Sequence, residues 1–179
     1  MRWLGSLLCM FMLSGCTTTN LAVSFFRSTN DFQLLSKDAR IRYESGAEKL
    51  AAQVQPYLNE AISTVEVAHY HKFPEPVRVH IPASAQRFSA MAGTGMQPKG
   101  AVHPKNGLFL NPDLFDSPER IPRILTHELS HLLMRQLNGF RYLGGAPPWF
   151  NEGFAAYISS GGGAEKVSEK EASQFMLAG

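Results

Sequence analysis

Apolar residues recur at helical spacing over some stretches of the chain and alternate with polar residues over others. From Asp38 to about His71 they are three or four residues apart, which predicts an N-terminal helix that Pro56 splits or kinks. A strand, a short helix and a second strand are then predicted at residues 77–81, 85–91 and 107–110. The segment 96–104 has a loop-like composition.

Two further helices are predicted in the second half of the chain. The first runs to Asn138 and is followed by Gly139, a residue type that favours helix ends. The second begins at Pro148 and extends to about Ser160, where three glycines interrupt it. This order of elements predicts an α+β domain over residues 37–179, with the N-terminal helix backing a small sheet.

Composition excludes several classes of protein. The chain has 179 residues, of which 44% are hydrophobic and 18% charged, enough apolar material for the core of one domain. A disordered tail, a coiled coil and a polytopic membrane protein are excluded on this basis. The net charge of +2 does not indicate a nucleic-acid partner. Because the only two cysteines are Cys9 and Cys16, a disulfide scaffold is excluded as well.

The N-terminus has the pattern of a targeting segment. Arg2 precedes an apolar run over 7–13 that is too short to span a bilayer, so residues 1–15 are predicted to be a signal peptide. Leu13–Cys16 resembles the bacterial lipobox, which implies an acylated Cys16 that anchors the protein in a lipid bilayer. A plain signal peptide or a buried N-terminal helix is the alternative.

The residues after Cys16 predict the location of the protein and the boundary of its domain. Thr17 stands where an aspartate would imply retention in the inner membrane, so the outer membrane, facing the periplasm, is expected. Residues 16–36 are polar and poorly periodic, and they are predicted to form a lipidated tether.

One motif carries most of the chemical information, and it reads His-Glu-Leu-Ser-His over residues 127–131. On a helix, positions i and i+4 share a face, so His127 and His131 can direct two imidazole nitrogens at one ion. Glu128 then lies beside the ion, where its carboxylate can accept a proton from the attacking water. Two packing histidines are the alternative, but the strong amphipathic helix around them favours a zinc site.

A third ligand is predicted at Glu152, near the start of the second helix. Catalytic zinc usually has three protein ligands, and two histidines with one glutamate are a common set. The intervening loop is long enough to bring the two helices side by side. The alternative is an exposed carboxylate that the helix dipole favours at this position.

Together, HELSH and the later WFNEGFAAY resemble the gluzincins, zinc peptidases with a helical HExxH motif and a downstream glutamate ligand. The match covers about residues 107–160, and its NEGFA stretch especially resembles the metalloaminopeptidases and their shorter peptidase relatives of the MA type. The resemblance implies a zincin-like fold and one Zn²⁺ per chain, held by His127, His131 and Glu152, with Glu128 as the catalytic base.

The chain departs from the larger relatives in three places. Their upstream motif contains a glutamate that binds the substrate amine, whereas Gln97 is the nearest counterpart here. Only 27 residues follow Glu152, so the downstream domain that supplies an oxyanion-stabilising tyrosine or histidine is not expected. Ala156 stands where related enzymes carry an aspartate that orients a histidine ligand, and Asn151 or backbone carbonyls are expected to replace it.

Weaker candidates for contacts with the substrate or the oxyanion are His103, Tyr142 and Tyr157. An ordinary loop position for His103 and packing roles for the two tyrosines are the simpler interpretations. The remaining histidines show no ligand spacing and are predicted to be structural or exposed, namely His69, His71 and His80.

The predicted function is zinc-dependent hydrolysis of internal peptide bonds in a peptide or protein substrate. The substrate would lie along an edge strand near residues 107–110. A weakly active or inactive zincin-like module for binding or assembly in the cell envelope is the main alternative, and a zinc-buffering lipoprotein is a third. The intact Glu128 favours the enzyme, because neither alternative needs a general base.

Overall fold

The computed structural model describes residues 21–139 and 146–163. The predicted signal peptide, Cys16 and Tyr142 lie outside these residues. Within the two described ranges, no helix combines the length and the apolar character needed to cross a membrane.

The described residues include five strands and four helices of eight residues or more, which confirms the predicted α+β class. The strands are β1 (Gln33–Leu35), β2 (Asp38–Tyr43), β3 (Val79–Ile81), β4 (Gly100–His103) and β5 (Gly107–Leu110). The helices are α1 (Glu48–His69), α2 (Ala85–Ala92), α3 (Ile121–Asn138) and α4 (Pro148–Ile158). Short 3₁₀ turns at Pro112–Asp116 and Pro118–Arg120 precede α3.

The chain divides into two compact units. Described residues 21–52 and 77–116 form the first, called here the sheet unit because it contains all five strands. Described residues 53–76, 117–139 and 146–163 form the second, called here the helical unit. The predicted metal ligands all belong to the helical unit.

The sheet is mixed, with the strand order β1-β2-β3-β5-β4. The pairs β2–β3 and β3–β5 are parallel, whereas β1–β2 and β4–β5 are antiparallel. β5 is paired on both sides, by β3 and β4, and β4 is the edge strand at this end of the sheet. The prediction of an edge strand at 107–110 is therefore wrong. Leu108, Phe109 and Leu110 are fully buried, as expected for a continuous apolar run inside a sheet.

The predicted helix over Asp38–His71 is wrong in its first ten residues. Asp38–Tyr43 forms β2, in which Ile41 is fully buried and pairs with Val79 of β3. Helix α1 begins only at Glu48, whose carboxylate accepts a hydrogen bond of 2.9 Å from the backbone N–H of Gly46. Pro56 lies inside α1 without ending it.

Two segments predicted to be irregular contribute to the sheet unit instead. In the described part of the predicted tether, residues 33–35 form β1, and Ser24 and Phe32 are buried. The predicted loop over 96–104 contains β4. Both strands lie at the edges of the sheet and have only three and four residues. Such short strands are too brief to show a clear alternation of apolar and polar residues.

Helix α2 packs on one face of the sheet. Its N-cap Ser84 accepts a hydrogen bond from the backbone N–H of Arg87, and Gly93 ends it in the left-handed conformation. The core between this helix and the sheet is formed by Phe32, Phe88, Met91, Ala92 and Phe109.

The imidazole of His80 is buried in this apolar environment. Its centroid lies 5.2 Å from that of Phe32 and 4.9 Å from that of Phe109, and neither ring nitrogen has a hydrogen-bond partner among the described residues. Burial lowers the pKa of His80 to about 4, and the charge of Arg42 adds to this effect. The prediction that His80 is structural is consistent with this position.

We expect His80 to make the folded protein sensitive to acid. The unfolded chain binds a proton at this residue below about pH 6.5, whereas the folded chain binds it only below about pH 4. The free energy of unfolding should therefore fall by up to about 3 kcal/mol as the pH drops between these values. In denaturant titrations at pH 7 and pH 5, His80→Leu should lose less stability than wild type. The exposed His71→Leu is the matched control, and equal pH dependence in all three proteins would contradict the prediction.

Candidate metal centre

Two of the predicted ligands are presented by α3. Pro122 lies in the first turn of this helix, where its missing N–H costs no helical hydrogen bond. Buried apolar residues hold the helix in the helical unit, among them Ile121, Leu125, Leu129 and Leu133. His127 and His131 are themselves buried, and their Nε2 atoms lie 3.1 Å apart. The i, i+4 spacing therefore brings both imidazoles to one point, as predicted from the motif.

The third predicted ligand, Glu152, is presented by α4, which packs against α3. One carboxylate oxygen of Glu152 lies 3.4 Å from Nε2 of His127, and the other lies 3.5 Å from Nε2 of His131. The Glu152 side chain is 66% exposed. The group formed by His127, His131 and Glu152, called here the cluster, is therefore accessible from solvent on this side. The prediction that α4 brings Glu152 to the two histidines is confirmed.

The three side chains have the spacing that a metal ion requires. Zinc bonds of about 2.0–2.1 Å in a tetrahedral arrangement separate neighbouring ligand atoms by about 3.3–3.4 Å. The observed separations of 3.1, 3.4 and 3.5 Å are close to these values. Among the described residues, this is the one group of three or more potential ligands that could hold a metal ion.

The charge of Glu152 is suited to a cation. Hydrogen bonds from His127 and His131 hold the pKa of Glu152 well below its usual range, so its carboxylate is ionised at neutral pH. The cluster thus combines one negative charge with two imidazoles, a donor set that divalent transition metals favour.

Glu128 follows His127 on α3 and is only partly accessible. Burial raises the pKa of Glu128 to about 7, against the opposing charge of His127 and with a smaller contribution from Glu152. A carboxylate with a pKa near the working pH can both accept and return a proton. Glu128 is therefore a carboxylate with a raised pKa that directly follows the ligand candidate His127 on α3.

His103 is neither an exposed loop residue nor available to a substrate. It lies in β4 of the sheet unit and is fully buried. Its Nδ1 accepts hydrogen bonds of 3.2 Å from the backbone N–H groups of Lys105 and Asn106, so its Nε2 carries the proton. Nε2 then donates to the hydroxyl of Ser24 at 3.0 Å. The hypothesis that His103 lines a substrate groove is wrong, because both ring nitrogens bind protein atoms.

The other proposed contacts have different outcomes. Tyr157 lies on α4 and is 82% exposed, so its predicted packing role is wrong. The alternative role of Tyr157, donation to an oxyanion, stays a prediction. The same role of Tyr142 also stays a prediction, since Tyr142 lies outside the described residues.

Asn151 is buried but does not orient His127, because Nδ1 of His127 has no hydrogen-bond partner in the described part of the chain.

His69, which the sequence predicts only to be structural or exposed, contacts both ligand-bearing helices. His69, the last residue of α1, has its Nε2 2.9 Å from the hydroxyl of Ser130, between the two ligand histidines of α3. Its ring also contacts Phe154 of α4 edge-on, with centroids 4.9 Å apart. His69 therefore links α1 to both ligand-bearing helices. No sequence signal indicates this contact, because it depends on how distant helices pack.

Comparison of the chain with protein-family models, with curated proteins and with solved structures finds no significant match.

Proposed function

We propose that the protein is a zinc-dependent hydrolase of peptide bonds with a zincin-like domain of the gluzincin type. The observation that carries this proposal is the convergence of His127, His131 and Glu152 from two helices, with ligand atoms 3.1–3.5 Å apart. The HELSH and NEGFA motifs that provide these residues support it independently.

The donor set favours zinc over the hard cations. Magnesium and calcium take oxygen ligands almost exclusively, whereas two imidazoles and one carboxylate are typical of a catalytic zinc site. Three protein ligands would leave such an ion able to bind water or substrate as well. When bound, zinc supplies Lewis-acid chemistry, which activates water and polarises a carbonyl group.

Glu128 is proposed as the general base. Its carboxylate accepts the proton of the attacking water and afterwards donates it to the leaving amine. Burial raises the pKa of this carboxylate towards the neutral range, which supports its use in both transfers. His127 and His131, which are buried on the same helix as Glu128, would hold the ion together with Glu152.

A binding module with a zincin-like fold is the second candidate. It is favoured because the described residues offer no clear donor for an oxyanion. Both ring nitrogens of His103 form hydrogen bonds with protein atoms, and Tyr157 is largely exposed to solvent. Such a module would bind metal without hydrolysing peptides. The two candidates differ in whether the wild-type protein cleaves peptides and in whether Glu128→Gln lowers that rate.

The proposed setting is the periplasmic side of a bacterial outer membrane, where an acylated Cys16 anchors the protein. This part of the proposal rests on the lipobox-like Leu13–Cys16 and on Thr17 after it, all outside the described residues.

We expect cleavage within chains rather than at the amino terminus. An aminopeptidase must neutralise the substrate ammonium with a well-placed carboxylate, since an unpaired buried charge is costly. Gln97 is neutral where the resemblance to aminopeptidases would place a glutamate. Acetylation of the substrate N-terminus should therefore change kcat/KM by less than about twofold.

The measurement compares a free and an acetylated peptide of the same sequence, with the scissile bond several residues from the N-terminus. A peptide carrying an N-terminal extension serves as the control for length. A loss of about a hundredfold on acetylation, equivalent to about 2.7 kcal/mol, would establish an amine site and an exopeptidase.

A further inference from the structure

The segment that follows α4 returns to the helix that carries the histidines. The backbone N–H of Gly161 donates to the carbonyl of Ala156 at 2.8 Å, and that of Ser160 donates to the carbonyl of Tyr157 at 3.3 Å. Ser160 has a positive φ of 52°, so the helix ends in a Schellman motif. This motif reverses the chain direction before Gly162 and Gly163.

These two glycines approach α3 more closely than any other residue type could. A Cβ atom at Gly162 would overlap the backbone carbonyl group of Arg123. A Cβ atom at Gly163 would lie 2.5 Å from Cε1, 2.7 Å from Nε2 and 2.8 Å from Nδ1 of His127, closer than real Cβ contacts. Arg123 and His127 are one helical turn apart, so the segment lies along a single face of α3.

Only one ring nitrogen of His127, Nε2, is engaged by other side chains, and the ring itself packs against the backbone of Gly163. Metal-binding histidines usually donate their second ring nitrogen to a partner that fixes the ring orientation. In His127 the second nitrogen, Nδ1, is buried without a hydrogen-bond partner among the described residues. The backbone of Gly163 instead packs on the ring, whose Nε2 is directed at His131 and Glu152.

From this geometry we infer that Gly163 is a positioning residue for the metal ligand His127. The absence of a side chain lets the backbone contact the imidazole and fix the orientation in which Nε2 meets the other two ligands. A methyl group at residue 163 would occupy the space of the ring and rotate Nε2 away from the ion. The inference rests on the metal site of the proposed function and adds a residue outside both motifs.

Gly161 provides a matched control within the same turn. Gly161 and Gly163 have φ values of 87° and 95°, so alanine strains the backbone similarly at both positions. A Cβ atom at Gly161 would meet nothing within 4 Å. Any difference between Gly163→Ala and Gly161→Ala therefore reports the contact with His127.

The first experiment measures zinc affinity in metal-buffered competition titrations of the full chain. Gly163→Ala should bind zinc about ten- to a hundredfold more weakly than Gly161→Ala, as expected when the orientation of a ligand is lost. The absorption spectrum of the Co²⁺-substituted protein should change in Gly163→Ala only. Equal affinities in the two variants, with zinc bound tightly by wild type, would overturn the positioning role alone. Failure of wild type to bind zinc would overturn the proposed metal site and the positioning role together.

The second experiment tests the contact itself in metal-free protein, and it applies even if Gly163→Ala folds poorly. In a double-mutant cycle, removal of the ring by His127→Ala should relieve the extra destabilisation of Gly163→Ala. Gly163→Ala and Gly161→Ala should then lower the denaturant midpoint equally in the His127→Ala background. An extra loss that persists without the ring would show that Gly163 does not act through His127.

Discussion

Glu128→Gln should lower kcat for peptide hydrolysis by about 10²- to 10⁴-fold and leave zinc bound. Glutamine has nearly the same size as glutamate but cannot accept a proton at neutral pH. Glu128 is not one of the three clustered ligands, so its replacement removes the base without removing a metal bond. The measurement combines the zinc content of each protein with initial rates on a peptide library.

Glu119→Gln is the matched control for this substitution. Glu119 is exposed in the 3₁₀ turn before α3, so the same chemical change there should leave both zinc content and rate unaltered. Equal rates in wild type and Glu128→Gln would contradict the proposed role of Glu128. If wild type itself binds zinc but cleaves no peptide in the library, the binding module becomes the better account of the site.

Replacement of any one ligand by alanine should weaken zinc binding by at least about a hundredfold. Each of His127, His131 and Glu152 provides one of only three protein bonds, and changes to residues that merely support a ligand already cost ten- to a hundredfold. We expect about one zinc per chain in wild type by elemental analysis. After dialysis against a weak chelator, each alanine variant should contain little zinc.

Asp113→Ala is the control for loss of an acidic residue from the same protein. The carboxylate of Asp113 lies 3.8 Å from Nζ of Lys99 in the sheet unit and outside the metal cluster, so its loss should not affect zinc. Retention of wild-type affinity by Glu152→Ala would exclude Glu152 as the third ligand. The same result from His127→Ala or His131→Ala would exclude the cluster as the metal site.

The candidate site was largely predictable because the sequence patterns that specify its two helices extend over only a few residues. The i, i+4 spacing of His127 and His131 depends only on α3 being a helix, and Gly139 marks its end correctly. Pro148 begins α4 where predicted, which places Glu152 one turn inside that helix. Helix signals of this kind act within a few residues, and the short connection leaves few ways to arrange α3 and α4.

The sheet was less predictable because its pairings join distant residues. β2 has charged residues at three of its six positions, so its strand character comes from its neighbours β1 and β3 rather than from its own composition. The place of β5 inside the sheet depends on the pairing of β4, a strand of four residues in a predicted loop. The burial of His103 follows from the same pairing and has no local signal.

Contacts of Gly163 and His69 were unpredictable for a further reason. A run of glycines indicates a chain break, but it does not indicate which surface the backbone then approaches. His69 meets Ser130 and Phe154 only because α1 packs beside α3 and α4. Such contacts depend on the packing of segments that are distant in the sequence, so no local pattern indicates them.

The parallel pairings of the sheet also bear on how quickly the protein folds. Tyr43 of β2 pairs with Ile81 of β3, and Val79 of β3 pairs with Leu108 of β5, so each pair closes a loop that contains at least one whole helix. The entropy of closing such loops is lost before the strand contacts form. Domains dominated by non-local pairings of this kind fold on the slow side of the range for their size. The sheet unit should therefore limit the rate of folding, whereas α3 and α4, neighbours in sequence, can associate early.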